Sequence, residues 1–294
     1  MWNKFIDCLL DAGIDSIKLL PFLFLAYVVM EYIEHKMGAK AKATVERAGR
    51  FGPLVGGLLG IVPQCGFSTI AANLYAGRII TVGTLMAVFL STSDEMLPIF
   101  ISEAVPVTTI VKILGIKCMV AVVMGLLIDV LVRCIRKAPK EDMMSGHLCE
   151  HDHCHCEEGS LFRSALIHTI KITIFIFLIS IVLNIVIVAV GEDMLKEVIG
   201  SKWVIASFAA GLVGLLPNCA ASVVITELYL EQVISAGAMF SGLLVSAGVG
   251  LLVLFRVNHE HRMENIRILI VLYGIGVAMG SLLDVLLPVL GVQL

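Results

Sequence analysis

The chain has 294 residues, 59% of them hydrophobic and 15% charged, and its mean hydropathy is +0.98. Soluble domains carry about 25% charged residues, so these values exclude an ordinary water-soluble domain and predict a polytopic membrane protein. The formal net charge of −3 is uninformative, because in such proteins the placement of charge matters more than its sum.

The N-terminal residues Met1-Trp2-Asn3-Lys4 lead into Asp7, Asp11 and Asp15 rather than an apolar h-region, so no cleavable signal peptide is expected. Residues 15–33 read as a first span. The loop 35–50 carries Lys36, Lys40, Lys42, Arg47 and Arg50 against one acid, Glu46. Residues 51–77 are uncharged and hold a motif described below. Residues 79–101 form a span interrupted by Ser91-Thr92-Ser93-Asp94-Glu95, and 107–132 form another containing Lys112, Lys117 and Asp129. A polar linker follows, after which 164–190 resumes the membrane pattern. The loop 191–202 carries Lys196 and Lys202 against Glu192, Asp193 and Glu197. Residues 203–230 hold a second copy of the motif. Residues 232–255 read as an uninterrupted span, 256–267 as a polar loop, and 268–290 as the last span. Each uncharged run approaches the roughly 20 residues that cross a bilayer.

The motif is G-x-x-G-x-x-P-[QN]-C-[GA]-x-S, at 57–68 and again at 211–222. Pro breaks a helix and removes a backbone donor. Gln64, Cys65 and Ser68, and correspondingly Asn218, Cys219 and Ser222, then place an amide, a sulfur and a hydroxyl at each break. Polar atoms and freed backbone at membrane depth persist only where protein or a cavity surrounds them. Two such breaks in corresponding halves point to a transporter binding site.

The halves correspond beyond the motif. Pro63 pairs with Pro217, Tyr75 with Tyr229 and Gly83 with Gly237 at an offset of 217 − 63 = 154. Asp129 pairs with Asp284 at 284 − 129 = 155. The basic loop 35–50 is expected in the cytoplasm and its acidic counterpart 191–202 outside, so the repeats are expected to be inverted. The fold class predicted is an all-α polytopic membrane protein of two inverted repeats. Each repeat has three spans plus a broken or re-entrant Pro-Cys helical hairpin, about ten hydrophobic helical segments in all. The domains are 1–133, the cytoplasmic linker 134–162, and 163–294, with the N-terminus outside.

Inversion would bring Cys65 and Cys219 together near the midplane. A lone buried Cys is usually inert packing, but two equivalent ones at broken helices suit soft or borderline ions. The predicted substrate-binding set is Gln64, Cys65, Ser68, Asn218, Cys219, Ser222, Asp94 and Glu95. Intramembrane carboxylates are functional candidates because a charge in the bilayer core costs at least ~2.5–3.5 kcal/mol. Glu227, Asp129 and Asp284 are taken as coupling or auxiliary groups, although for Asp129 and Asp284, close to helix ends, an interfacial position is the reading favoured. Lys112 and Lys117 are read as their ion partners or as snorkelling cations.

The linker places four His, three Cys and four acids in twelve residues, 147–158. His147, Cys149, His151, His153, Cys154, His155 and Cys156 form a chelating tract whose spacing is not that of a folded zinc finger. It reads as a flexible cytosolic antenna. His259 and His261 read as a solvated pair. No phosphate-binding loop, triad order or nucleic-acid patch occurs, so ATP hydrolysis and enzymatic activity are not expected.

The doubled P-[QN]-C-[GA]-x-S, the Ser91–Pro98 stretch Ser-Thr-Ser-Asp-Glu-Met-Leu-Pro and the His/Cys-rich linker together resemble a family. These are the ten-span heavy-metal exporters, also labelled manganese transporters or arsenic efflux proteins, distantly related to organoarsenical permeases. The resemblance extends along nearly the whole chain. It implies export of a divalent heavy metal, manganese or a metalloid across the cytoplasmic membrane, ion-gradient coupled. No cofactor is permanently bound, the ion (Mn, Zn or another transition metal) being cargo. The partners implied are that ion and the lipid bilayer, with a homodimer allowed and no nucleic acid. Two alternatives stay open: a permease for a sulfur anion such as thiosulfate, and an intramembrane thiol oxidoreductase using Cys65 and Cys219. The inversion is tested by single cysteines placed in the loops 35–50 and 191–202. An impermeant thiol reagent added outside should label the second and spare the first, and equal labelling would refute it.

Overall fold

A computed structural model of the chain describes residues 51–61, 65–93, 96–135, 203–217 and 219–289, together with scattered helical positions between 13 and 28 and between 166 and 181. Gln64, Asp94, Glu95, Asn218 and all seven linker ligands lie outside the described residues, as do the loops 35–50 and 191–202. The described residues form helices and turns with no strand. The helices are α1 (Gly52–Leu59), α2 (Cys65–Ala76), α3 (Val82–Ser91), α4 (Met96–Ser102), α5 (Val107–Ile135), α6 (Trp203–Gly214), α7 (Cys219–Leu230), α8 (Ala236–Val245), α9 (Gly250–Val257) and α10 (Arg262–Val289).

The element boundaries repeat with the sequence offset. α2 and α7, and α3 and α8, start and stop 154 residues apart, and α4 and α9 start 154 apart. Arg78 and Gln232, also 154 apart, both adopt left-handed backbone, with φ 57° and 59°. α3 packs on α1 and α5 as α8 packs on α6 and α10.

Among the described residues, four stretches are long and apolar enough to cross a membrane: Val82–Ser102, Val107–Ile135, Ala236–Val257 and His259–Pro288. Their burial sorts them. Over an 18-residue apolar window, Val82–Ser102 and Ala236–Val257 are 75% and 89% buried, whereas Val107–Ile135 and His259–Pro288 are 22% and 39% buried. The first two form the centre, and they carry the large enclosed side chains Leu85, Met86, Phe89, Phe100 and Phe240. The other two present apolar faces outward, including Val111, Met119 and Val123 on α5 and Ile270, Val271 and Val285 on α10. Such faces suit lipid.

Both central stretches are broken. The first breaks after Ser91, as the Ser-Thr-Ser-Asp-Glu sequence predicts. The second, expected to be an uninterrupted span over 232–255, breaks between Val245 and Gly250, at the repeat-equivalent position. Ser246 leaves helical geometry at φ −69°, ψ 88°, and Gly248 takes φ 55°, a conformation that glycine adopts without strain. The expected loop 256–267 is also much shorter. α9 runs to Val257, a 3₁₀ turn covers His259–His261, and α10 begins at Arg262. His259 and His261 are exposed, in keeping with a solvated pair.

One contact fixes how each broken stretch starts. The Asp129 carboxylate on α5 accepts from Gly83 N at 2.9 Å and from the Thr81 hydroxyl at 2.7 Å. Thr81 Oγ1 in turn accepts from Thr84 N at 3.1 Å, capping α3. In the second half Asp284 on α10 accepts from Gly237 N and the Ser235 hydroxyl, both at 2.7 Å, and Ser235 Oγ caps α8 through Ala238 N. A helix N-terminus leaves amides without partners, and its positive dipole end favours a carboxylate. A Cβ on Gly83 would overlap the Asp129 carboxylate and the Gly125 carbonyl, and one on Gly237 would overlap Asp284 and the Gly280 carbonyl. Glycine is needed because the backbones meet there.

Asp129→Ala and Asp284→Ala should each lower stability by about 1–3 kcal/mol, the usual effect of orphaning buried donors. Because the two share no partner, their effects should add. Melting temperatures of the detergent-purified variants check this. Unchanged melting temperatures with lost transport would instead assign both carboxylates to coupling.

Candidate functional site

The two Pro-Cys motifs lie at helix breaks. α1 ends at Leu59 and α2 begins at Cys65, while α6 ends at Gly214 and α7 begins at Cys219, with Pro217 between. Both cysteines therefore open a half-helix, as Gln64-Cys65 and Asn218-Cys219 predict from the proline just before them. Ser68 and Ser222, one turn in, are both enclosed, at 0% and 2% exposure. Thr69 and Asn73 continue the buried polar face of α2. Asn73 Nδ2 donates to the Thr69 carbonyl at 2.9 Å. Among the described residues, Asn73 Oδ1 is a buried acceptor without a hydrogen-bond partner.

The first motif meets the second half of the chain. Gly250, the first residue of α9, lies so close to Ser68 that a Cβ there would stand 2.6 Å from Ser68 Cβ and 2.8 Å from its carbonyl oxygen. Beyond the far ends of these two helices, Arg78, just after α2, pairs with Glu264 in the first turn of α10 through two bonds, Nη1–Oε1 at 2.9 Å and Nη2–Oε2 at 3.0 Å. The Tyr75 hydroxyl donates to the same carboxylate, and the guanidinium lies 5.5 Å from the Tyr75 ring centre. α2 and α9 therefore run side by side in one direction, from the breaks toward the Arg78–Glu264 pair. The equivalent pair, α7 and α4, is joined by Tyr229 and Phe100, with ring centres 6.4 Å apart. At the positions matching Arg78 and Asn73 stand Gln232 and Glu227. Glu227 is exposed on α7.

Hydroxyls line the end of α3. Ser91 Oγ donates to the Ala87 and Val88 carbonyls at 2.8 and 3.1 Å, Thr92 Oγ1 to Val88 at 2.7 Å, and Ser93 Oγ to Ser91 at 3.0 Å. All three residues are buried. Asp94 and Glu95 follow directly in sequence.

Lys117 is the residue whose place the sequence did not reveal. It was expected to pair with Asp129 or Asp284 or to reach the interface. Its side chain is instead 1% exposed, and Nζ donates to the Thr92 carbonyl and to the Leu243 carbonyl, the latter at 3.1 Å. Thr92 caps the C-terminus of α3, and Leu243 lies in the last turn of α8. The ammonium thus bridges the ends of both broken stretches, one from each half. A helix C-terminus leaves carbonyls without partners and carries partial negative charge, so a cation there is favoured. The signal was present in the sequence. Lys117 lies ten residues into α5, about 15 Å from its start and too deep to snorkel. Its counterpart at offset 155 is Leu272. Cys118, beside it, donates to the Gly57 carbonyl at 3.6 Å.

Among the described residues no group of three or more His, Cys, Asp or Glu converges. Ser68 and Ser222 are the members of the predicted binding set whose side chains are described, and both are buried at the breaks. Residues 4–157, just over half of the chain, match the model of a family described as "Putative, 10TM heavy-metal exporter". The match takes in the first repeat and the chelating tract, a narrower extent than the near-whole-chain resemblance read from the sequence. No curated protein and no solved structure matches the chain.

Proposed function

The chain belongs to this heavy-metal exporter family, and we propose that it carries a divalent transition-metal ion out of the cytoplasm through a site at the paired helix breaks. The observation that carries this reading is the contact of Ser68, in the first Pro-Cys motif, with Gly250 at a break in the other half. A site built between two repeats is what alternating access requires, since moving one repeat against the other opens it to either side.

In this account Cys65 and Cys219 supply thiolates, and Asp94 and Glu95 supply carboxylates. Gln64, Asn218, Ser68 and Ser222 supply neutral oxygens. Thiolate favours zinc and softer ions, while carboxylate and carbonyl oxygen favour manganese. The buried Asn73 acceptor gives a passing ion one more oxygen along α2. The repeats are inverted about an axis in the membrane plane, and an ion gradient drives export. The linker, on the cytoplasmic side, collects metal through His147, Cys149, His151, His153, Cys154, His155 and Cys156, raising the local concentration at the entrance.

A second reading, permease for a sulfur anion such as thiosulfate, is favoured by one observation, the buried Lys117 ammonium. Its bonds to the Thr92 and Leu243 carbonyls direct its charge to helix ends, which supports the metal reading more.

Flux into proteoliposomes, measured for Mn²⁺, Zn²⁺, Cd²⁺ and thiosulfate, tests both. The expected result is metal flux that the double variant Cys65→Ala/Cys219→Ala abolishes. Deleting 147–156 should weaken flux at low free metal and leave it near the parent value at saturation. Thiosulfate flux alone would replace the metal reading.

A further inference from the structure

We infer that the buried face of α2 is the ion's route between the first break and the end of the molecule where α5 stops, and that Tyr75, Arg78 and Glu264 form the gate that closes it. This rests on the transport reading above and adds to it where the pathway shuts on one side.

The direction of α2 follows from glycine contacts. A Cβ on Gly52, Gly56 or Gly60 would meet Thr84, Val88 or Ser91, in that order, so α1 and α3 advance side by side in one direction. α1 therefore reaches the break at the depth where α3 ends. α2 then rises about 18 Å over its length and stops at Ala76, only five residues before Thr81, the cap of α3. Five residues span about 17 Å at most. Had α2 continued away from α1, its end would lie more than about 30 Å from Thr81, beyond that reach. α2 therefore returns to the end where α3 begins. Asp129 binds at that α3 start, and α5 stops shortly after it, at Ile135, ahead of the linker. Arg78 thus lies at the linker end. Phe100 and Tyr229 lie at the other. α4 ends five residues before α5 begins, and the 29 residues of α5 then run about 43 Å back.

Ser68, Ala72 and Tyr75 form one stripe of α2, with Thr69 and Asn73 beside it, and all five are at most 4% exposed. At the break end of this face Ser68 seats against Gly250. At the linker end the Tyr75 hydroxyl and both Arg78 nitrogens hold the Glu264 carboxylate. Between them stands Asn73, whose Oδ1 is a buried acceptor without a partner among the described residues, although its Nδ2 is bound. Buried polar atoms are nearly always paired. An acceptor left unpaired while the face is covered is accounted for if an ion or its water meets it when the face opens. α9, alongside, offers only apolar side chains as far as Phe255, so the polar groups of the route come from α2. The forked Arg78–Glu264 pair is geometrically specific and ties the first half of the chain to the second. Parting α2 from the other half must break both of its bonds and the tyrosine's together. The far end holds no such pair. Gln232 stands at the position matching Arg78, and Thr109, at 264 − 155, at that matching Glu264.

The experiment measures access to Asn73→Cys in the full chain, in right-side-out and inside-out membrane vesicles. An impermeant maleimide is added, and labelling at each cysteine is read by peptide mass spectrometry. Labelling of Cys149, Cys154 and Cys156 in the same digest marks the face that carries the linker. With the lock intact, the cysteine at position 73 should stay protected. Glu264→Gln or Arg78→Gln should raise its labelling rate on the order of tenfold, from the linker face alone, because access follows the open population. Gln suits position 78, since Gln232 takes the same left-handed backbone, φ 59° against 57°. Ala210→Cys, equally buried but on α6, should stay protected in every variant. Gel filtration confirms folding, and if one lock variant does not fold the other decides. Equal labelling of Asn73→Cys with and without the lock, a rise from the face opposite the linker, or a parallel rise at Ala210→Cys would overturn the inference. Labelling needs no cargo, so such a failure is separate from a failure of metal flux in proteoliposomes.

Discussion

A helix that stops inside a bilayer leaves several amides and carbonyls without partners, and no water is there to take them. The described structure contains two central stretches that stop in this way, at Ser91 and at Val245, and two motif helices, α2 and α7, that begin at a break. Several polar contacts of the centre supply partners to these ends. Asp129 and Asp284 take the amides where α3 and α8 start. Lys117 takes carbonyls where both stop. The hydroxyls of Ser91, Thr92 and Ser93 turn back onto the α3 end, as short polar side chains do beside a helix terminus.

The scaffold is doubled, and the chemistry is not. Carboxylate caps, hydroxyl N-caps, left-handed residues and helix boundaries recur at an offset of 154 or 155. The other charges at the breaks and along the half-helices do not recur. Lys117 faces Leu272, Asp94 and Glu95 face Gly248 and Val249, Arg78 faces Gln232, and Asn73 faces Glu227. A duplicated scaffold positions two equivalent breaks, and one-sided substitutions then make the two chemically different. The Arg78–Glu264 pair on one side and the Tyr229–Phe100 contact on the other show the same contrast at the ends of the half-helices. An ion pair with a bidentate geometry is a specific lock, whereas an aromatic contact tolerates sliding.

The parts legible in the sequence were those that carry a backbone signature. Pro63 and Pro217 mark breaks whatever surrounds them, and Ser-Thr-Ser-Asp-Glu cannot be an ordinary apolar helix turn. The offset between Asp129 and Asp284 marked the two as equivalent, but the sequence read them as coupling groups or interfacial carboxylates and not as caps. The break at Ser246–Val249 was hidden because its sequence, Ser-Ala-Gly-Val, is as apolar as the helix around it. Only its equivalence to Ser91–Glu95 could have revealed it. Lys117 was misread for a related reason. A Lys in an apolar run has two explanations from sequence alone, pairing with an acid or reaching the surface. Capping two helix ends from different repeats is a third that exists only once those ends are known to meet.

The central claim is that an ion is held between the paired Pro-Cys breaks. The most direct measurement is X-ray absorption of the Zn²⁺-loaded protein from which residues 147–156 have been deleted, so that the linker adds no sulfur. The account predicts a first shell containing sulfur at about 2.3 Å alongside oxygen at about 2.0–2.2 Å, with the sulfur lost in Cys65→Ala/Cys219→Ala. A shell of oxygen alone that is unchanged in the double variant would contradict it.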